Sequence, residues 1–98
     1  MEKVTPPKTK ILGTGNELMA KQMQANAGDL LPKHLASTES VLVIQKGSCT
    51  LHFEETASTL TQGDVFIVPA DVIHQIEAKQ DFRAVHVMPK EIKFIFFK

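Results

Sequence analysis

Gly63-Asp64-Val65-Phe66-Ile67-Val68-Pro69-Ala70-Asp71-Val72-Ile73-His74 reads as turn, apolar strand, proline stop, short loop and histidine. Gly63-Asp64 is turn chemistry, because glycine tolerates positive φ and aspartate bonds its own backbone. Val65 to Val68 are β-branched and aromatic, in a run too short for a helix. Pro69 has no N–H to give a sheet ladder, so it marks the end of the strand. The stretch delivers one imidazole, His74, to the mouth of a sheet.

An earlier stretch echoes it. Gly28-Asp29-Leu30-Leu31-Pro32-Lys33-His34 again runs from a Gly-Asp turn through a proline to a histidine. It is followed by the apolar strand Ser40-Val41-Leu42-Val43-Ile44-Gln45-Lys46, closed by Gly47. Together the two stretches resemble the paired motifs of the cupin family, in the small single-domain, RmlC-like form. The frame agrees at Gly28, His34, Gly47, Gly63, Pro69 and His74, and fifteen residues separate Gly47 from Gly63. The resemblance spans residues 16–89. It implies an all-β fold, a double-sheet jelly-roll barrel.

The bulk composition narrows the function classes. Ninety-eight residues with 43% hydrophobic content suit one domain with one core. Eleven basic and eleven acidic residues cancel, which gives no electrostatic case for nucleic acid or an anionic membrane. The apolar runs fall far short of the ~20 residues that span a bilayer. Met1 to Pro7 has no apolar signal core. The single Cys49 has no intrachain disulfide partner, so a cytoplasmic location is expected.

Residues 1–9, polar with two prolines, read as a loose arm, and residues 10–98 as a single barrel domain. Glu17 to Ala25 (ELMAKQMQA) consists of good helix formers, but the cupin frame puts a strand there, and a strand is expected. Leu35 to Glu39 reads as irregular. Strands are expected over 40–46, 48–53, 58–61, 74–78 and 82–88, with turns at Glu54-Glu55-Thr56-Ala57 and Lys79-Gln80-Asp81. Many short strands with frequent turn signals mean a sandwich or barrel. The tail Ile92-Lys93-Phe94-Ile95-Phe96-Phe97 is either an extra strand of its own barrel or a surface packed on a second subunit. A Phe-rich edge left in water is an aggregation hazard, and the family commonly dimerises, so a homodimer is expected.

Metal-binding cupins hold a divalent first-row ion with three histidines and a glutamate, a donor set suited to Fe, Mn, Ni, Zn or Cu. By that resemblance His34 and His74 occupy two of the four ligand positions. Ala36 stands at the second histidine, Ser40 at the glutamate and Ala78 at the closing asparagine, while Asp71 replaces a glycine. Glu39 lies one residue from the glutamate position and in a regular strand points away from it, unless a bulge turns it inward. His86 joins the other two if Phe82, Ala84, His86 and Met88 face inward; otherwise it is an ordinary histidine of a half-buried sheet. Met19, Met23 and Met88 either line the cavity or simply pack. His52 reads as a surface residue, and Cys49 as a small buried hydrophobe.

Two functions follow. The first is a barrel that binds a small organic ligand in a pocket of His34, Ala36, Ser40, His74 and Ala78, with the two histidines as polar handles. The second is a metal-dependent oxygenase or isomerase with His34, His74, His86 and Glu39 or water around the ion. A metal-free epimerase mechanism of the family's His–Tyr kind is disfavoured, since the chain contains no tyrosine. DNA binding is not expected, because no basic recognition helix is evident.

Overall fold

A computed structural model describes residues 3–97. Its strands, in chain order, are β1 (Lys8–Thr14), β2 (Leu18–Ala25), β3 (Lys33–Ala36), β4 (Ser40–Lys46), β5 (Ser48–His52), β6 (Ala57–Thr61), β7 (Val65–Val68), β8 (Gln75–Ala78), β9 (Phe82–Pro89) and β10 (Phe94–Phe97). There is no helix among the described residues, and hence none long and apolar enough to cross a membrane. Five strands form one antiparallel sheet in the order β1-β2-β9-β4-β7.

The facing layer is assembled from two pieces. Strands β6-β5-β8 form one ladder and β10-β3 another. Backbone bonds sew them together. Gly28 N–H donates to Ala78 O and Ala78 N–H to Asp29 O, both at 2.8 Å, and Leu31 N–H donates to Ile76 O at 2.9 Å. His34 N–H donates to His74 O at 3.0 Å, and His74 N–H returns the bond to His34 O at 2.9 Å. The second layer is therefore β6-β5-β8-β3-β10, and the two layers enclose one core. Leu42, Ile44, Cys49, Leu51 and Ala84 are almost fully buried there.

Of the stretch 17–25, Leu18–Ala25 is a strand despite its helical composition. β2 is paired on both sides, to β1 and, from Leu18↔Pro89 to Ala25↔Phe82, to β9. Helix propensity is worth a few tenths of a kcal/mol per residue, and tertiary pairing overrides it. Alternation then sends Met23 and Ala25 into the core.

Two features differ from the sequence expectations. The stretch after His34 is not irregular at first: Leu35 and Ala36 belong to β3, because β10 pairs with it from Phe94↔Ala36 to Phe97↔Lys33. The tail thus completes a sheet of its own barrel. The N-terminal segment is not a free arm. β1 begins at Lys8, Thr5 N–H donates to Leu30 O at 2.8 Å, and Val4 bridges Leu30. Pro6 and Pro7 favour the extended backbone that lets the segment lie along the barrel. Residues 1 and 2 of the expected arm lie outside the described residues.

Two turn positions need left-handed backbone. Gly47 has φ +77°, and a Cβ there would collide with the carbonyl of Asp81. Asp71 has φ 61° and takes the place of the frame's glycine, a conformation that aspartate tolerates better than most side chains. Its N–H donates to Ala36 O at 2.7 Å, which ties the loop before His74 to β3.

Candidate functional site

The two layers leave a cavity of about 310 Å³. Its walls are mostly apolar: Met23 from β2, Leu42 from β4, Met88 from β9, Leu51 and Ile76 from the second layer. Pro6 and Pro7 close one side, and Phe94 and Phe96 of β10 another. The polar side chains that line it are Thr9, Lys21, His34, His74 and His86. No aspartate or glutamate does so among the described residues.

His34 and His74 face each other across the β3–β8 junction, an antiparallel bridge. Residues opposite each other in such a bridge project to the same face, and the ring centroids are 4.5 Å apart in an edge-on arrangement. The Nδ1 of His34 lies 3.1 Å from Pro32 O, and that of His74 lies 2.9 Å from Val72 O. A carbonyl only accepts, so each Nδ1 carries the proton and donates. This fixes the tautomer and leaves Nε2 of each ring for a ligand. Phe94 and Phe96 flank His34 at centroid distances of 5.6 and 5.2 Å.

His86 shares the inward phase of Phe82, Ala84 and Met88, all three buried. It sits in one cross-strand row with Lys21 of β2 and Leu42 of β4. Its Nε2 shares a 2.7 Å hydrogen bond with the Ser40 hydroxyl. Burial, reinforced by the neighbouring His34, His74 and Lys21, pushes its pKa down from 6.5 to about 4. His74 is also displaced downward, chiefly by burial; the Val72 carbonyl opposes this, and His34 adds to it.

The other expected pocket residues stand one layer back. Ser40 is buried behind His86. Ala36 and Ala78 are buried, but their side chains are not among the cavity-lining groups. Glu39 is exposed and outside the cavity. Met23 and Met88 line the space, whereas Met19 does not. His52 pairs on the surface with Glu77, Nε2 to Oε1 at 2.9 Å. Cys49 is fully buried, and burial pushes its thiol up to about 11. Lys21, Phe94 and Phe96 are lining residues that the sequence reading did not single out. For Lys21 the signal was present in its phase, two residues from the inward Met23.

The donor set does not fit the metal of the cupin family. His34 and His74 offer two imidazole nitrogens, but Ser40 stands where a carboxylate would be, and the ring nitrogen of His86 is engaged by that serine. Among the described residues no three His, Cys, Asp or Glu side chains come together as a ligand group. Protein purified without chelator should accordingly carry well under one equivalent of Mn, Fe, Ni, Cu or Zn by mass spectrometry. One equivalent that survives desalting, and that His34→Ala removes, would overturn this reading of the donors.

Acid sensitivity follows from His86. It titrates near 4 in the folded chain and near 6.5 as an unperturbed side chain. Between those values the unfolded chain binds more protons. Its contribution is complete above about 6.5 and is lost as pH falls towards 4, roughly 3 kcal/mol in all. His74 acts with the same sign. Urea unfolding followed from neutral pH down to about 4 should show the decline, and His86→Gln should flatten it. An unchanged slope in that variant would place the acid sensitivity elsewhere.

Residues 21–96 match the sequence model of a family described as an AraC-like ligand binding domain. No curated protein matches the sequence. Among solved structures, an uncharacterised conserved protein with a double-stranded β-helix domain from Klebsiella pneumoniae is similar at a TM-score of 0.83 and 16% identity, over 100% of this chain and 90% of that one. An RmlC-like cupin from Shewanella frigidimarina aligns at 0.77 and 24% identity, over 87% and 78%. A salicylate 1,2-dioxygenase from Pseudoaminobacter salicylatoxidans aligns at 0.73 and 16%, over 82% of this chain but 24% of its own. At these identities the likeness establishes the cupin fold and nothing about chemistry.

Proposed function

This chain belongs to the AraC-like ligand-binding domain family, and from that premise we propose that its barrel is a receptor for a small organic molecule. One observation carries the reading. An apolar cavity of ligand size contains two imidazoles whose Nδ1 protons are committed to backbone carbonyls, so that both Nε2 atoms are reserved for something else. Small-molecule sites are commonly built this way, with apolar walls for affinity and a few fixed polar groups for orientation. His34 and His74 are the handles, and His86, held by Ser40, is a third polar group on the opposite wall. Ala36 and Ala78 support the wall from behind. The enzyme alternative lacks the carboxylate and the third free donor that metal chemistry in this fold uses. A sensor or accessory subunit is the corresponding role, and the lone buried thiol of Cys49 suits a reducing, cytoplasmic setting.

The test is a screen of small aromatic and short aliphatic compounds by thermal shift, with hits quantified by calorimetry. Hits should lose at least about tenfold in affinity in His34→Phe, equivalent to about 1.4 kcal/mol. That substitution keeps the aromatic packing beside Phe94 and Phe96 while it deletes the free nitrogen. A screen with no hits, or hits indifferent to the variant, would count against the receptor.

A homodimer fits the outer face of the first sheet. Antiparallel sheets usually turn a polar face to water. Here two cross-strand rows are apolar, Ile67-Val41-Val87-Ala20 and Val65-Val43-Val85. Val65 is 63% and Ile67 53% exposed. Flat β-branched rows suit an isologous interface with a second copy. Light scattering should give twice the chain mass, and Val65→Lys with Ile67→Lys should give the monomer. A monomeric parent protein would remove the proposal.

A further inference from the structure

Lys21 is the least expected side chain of the cavity. It lies on the inward phase of β2, directly beside His86 on β9, and it lines the same apolar space as Met23, Leu42 and Met88. A cation placed against apolar walls needs a counter-charge or water. Lys21 has no carboxylate within ion-pair distance among the described residues; the ion pairs found there all belong to Glu77, on the other sheet. The remaining titratable groups that face the cavity are His34, His74 and His86, all of them bases. The site thus gathers four basic side chains and no acid.

We propose that the ligand is a small organic monocarboxylate with an apolar body, and that Lys21 is its charge partner. This rests on the receptor reading and sharpens it to a ligand class. Charge supports a monoanion over a dianion: burial holds His74 and His86 towards their neutral forms, and Lys21 is the single ammonium side chain among the lining groups. Volume supports a small acid, since about 310 Å³ lies at the lower end of the ~300–1,000 Å³ typical of ligand pockets. An aromatic or short aliphatic acid fits, and a nucleotide does not. A bound carboxylate also favours the protonated form of any imidazole it faces, which turns Nε2 from acceptor into donor. Phe94, Phe96 and the methionines receive the apolar body.

Calorimetry at neutral pH with benzoate, phenylacetate and hexanoate, each against its own amide, decides the matter. The acids should bind at least about tenfold more tightly than the amides, as expected of a charge-assisted contact. Lys21→Met should bring each acid down to the affinity of its own amide, and Lys21→Arg should keep the preference, which also shows that position 21 tolerates replacement. Equal binding of acids and amides to the parent protein, or a preference that survives in Lys21→Met, overturns the assignment of Lys21 and leaves the receptor standing. If neither acids nor amides bind, while other compounds of the wider screen do, the carboxylate class alone is overturned. If nothing binds at all, both readings fall.

Discussion

The two backbone hydrogen bonds between His34 and His74, with those that tie Gly28, Asp29 and Leu31 to Ala78 and Ile76, hold the second layer of the barrel together. They join β3 to the strand that continues into β8, and so turn a three-stranded and a two-stranded ladder into one five-stranded wall. Without that junction β10 would have no sheet to extend, and the cavity would have no floor on that side. The same pairing sets the chemistry. Opposed residues of an antiparallel bridge project together, so closing the wall also places two imidazoles 4.5 Å apart. Fold and site share one constraint.

Around that junction the local chain does the fine positioning. Each histidine donates its Nδ1 proton to the carbonyl two residues before it, Pro32 or Val72. The bonds are local, so they depend only on the short loop that precedes each ring. Asp71, in left-handed backbone, anchors the second of these loops to Ala36. On the opposite wall His86 is oriented by a long-range partner, Ser40 of β4. A serine at that place holds an imidazole without adding negative charge. Together with Ala36 at the second histidine position, it separates this cavity from a carboxylate-bearing metal centre, and no acid lines the space that Lys21 shares with the three histidines.

The outside of the barrel follows the same logic of paired rows. β4, β7 and β9 are apolar on both faces, inward through Leu42, Val68 and Met88 and outward through Val41, Ile67 and Val87. Strands of this kind are at rest only when both faces are covered. The core covers one; the homodimer proposed above would cover the other.

Spacing made much of the fold legible. The frame from Gly28 to His74 announced the barrel, and alternating or β-branched runs marked β4, β5, β7 and β9 within a residue or two, because turn chemistry and strand period are local properties. It also singled out His34 and His74, both of which line the cavity. Composition alone pointed the wrong way for 17–25; only the resemblance, and then the pairing of β2 between β1 and β9, made it a strand. The inward phase of His86, the strand at Leu35-Ala36 and the return of β10 onto β3 were decided by tertiary structure, since each depends on a partner distant in sequence. Lys21 shows the division most clearly. Its residue type is written in the chain, but its position in one cavity with three imidazoles, with no acid facing them, exists only once two sheets have closed.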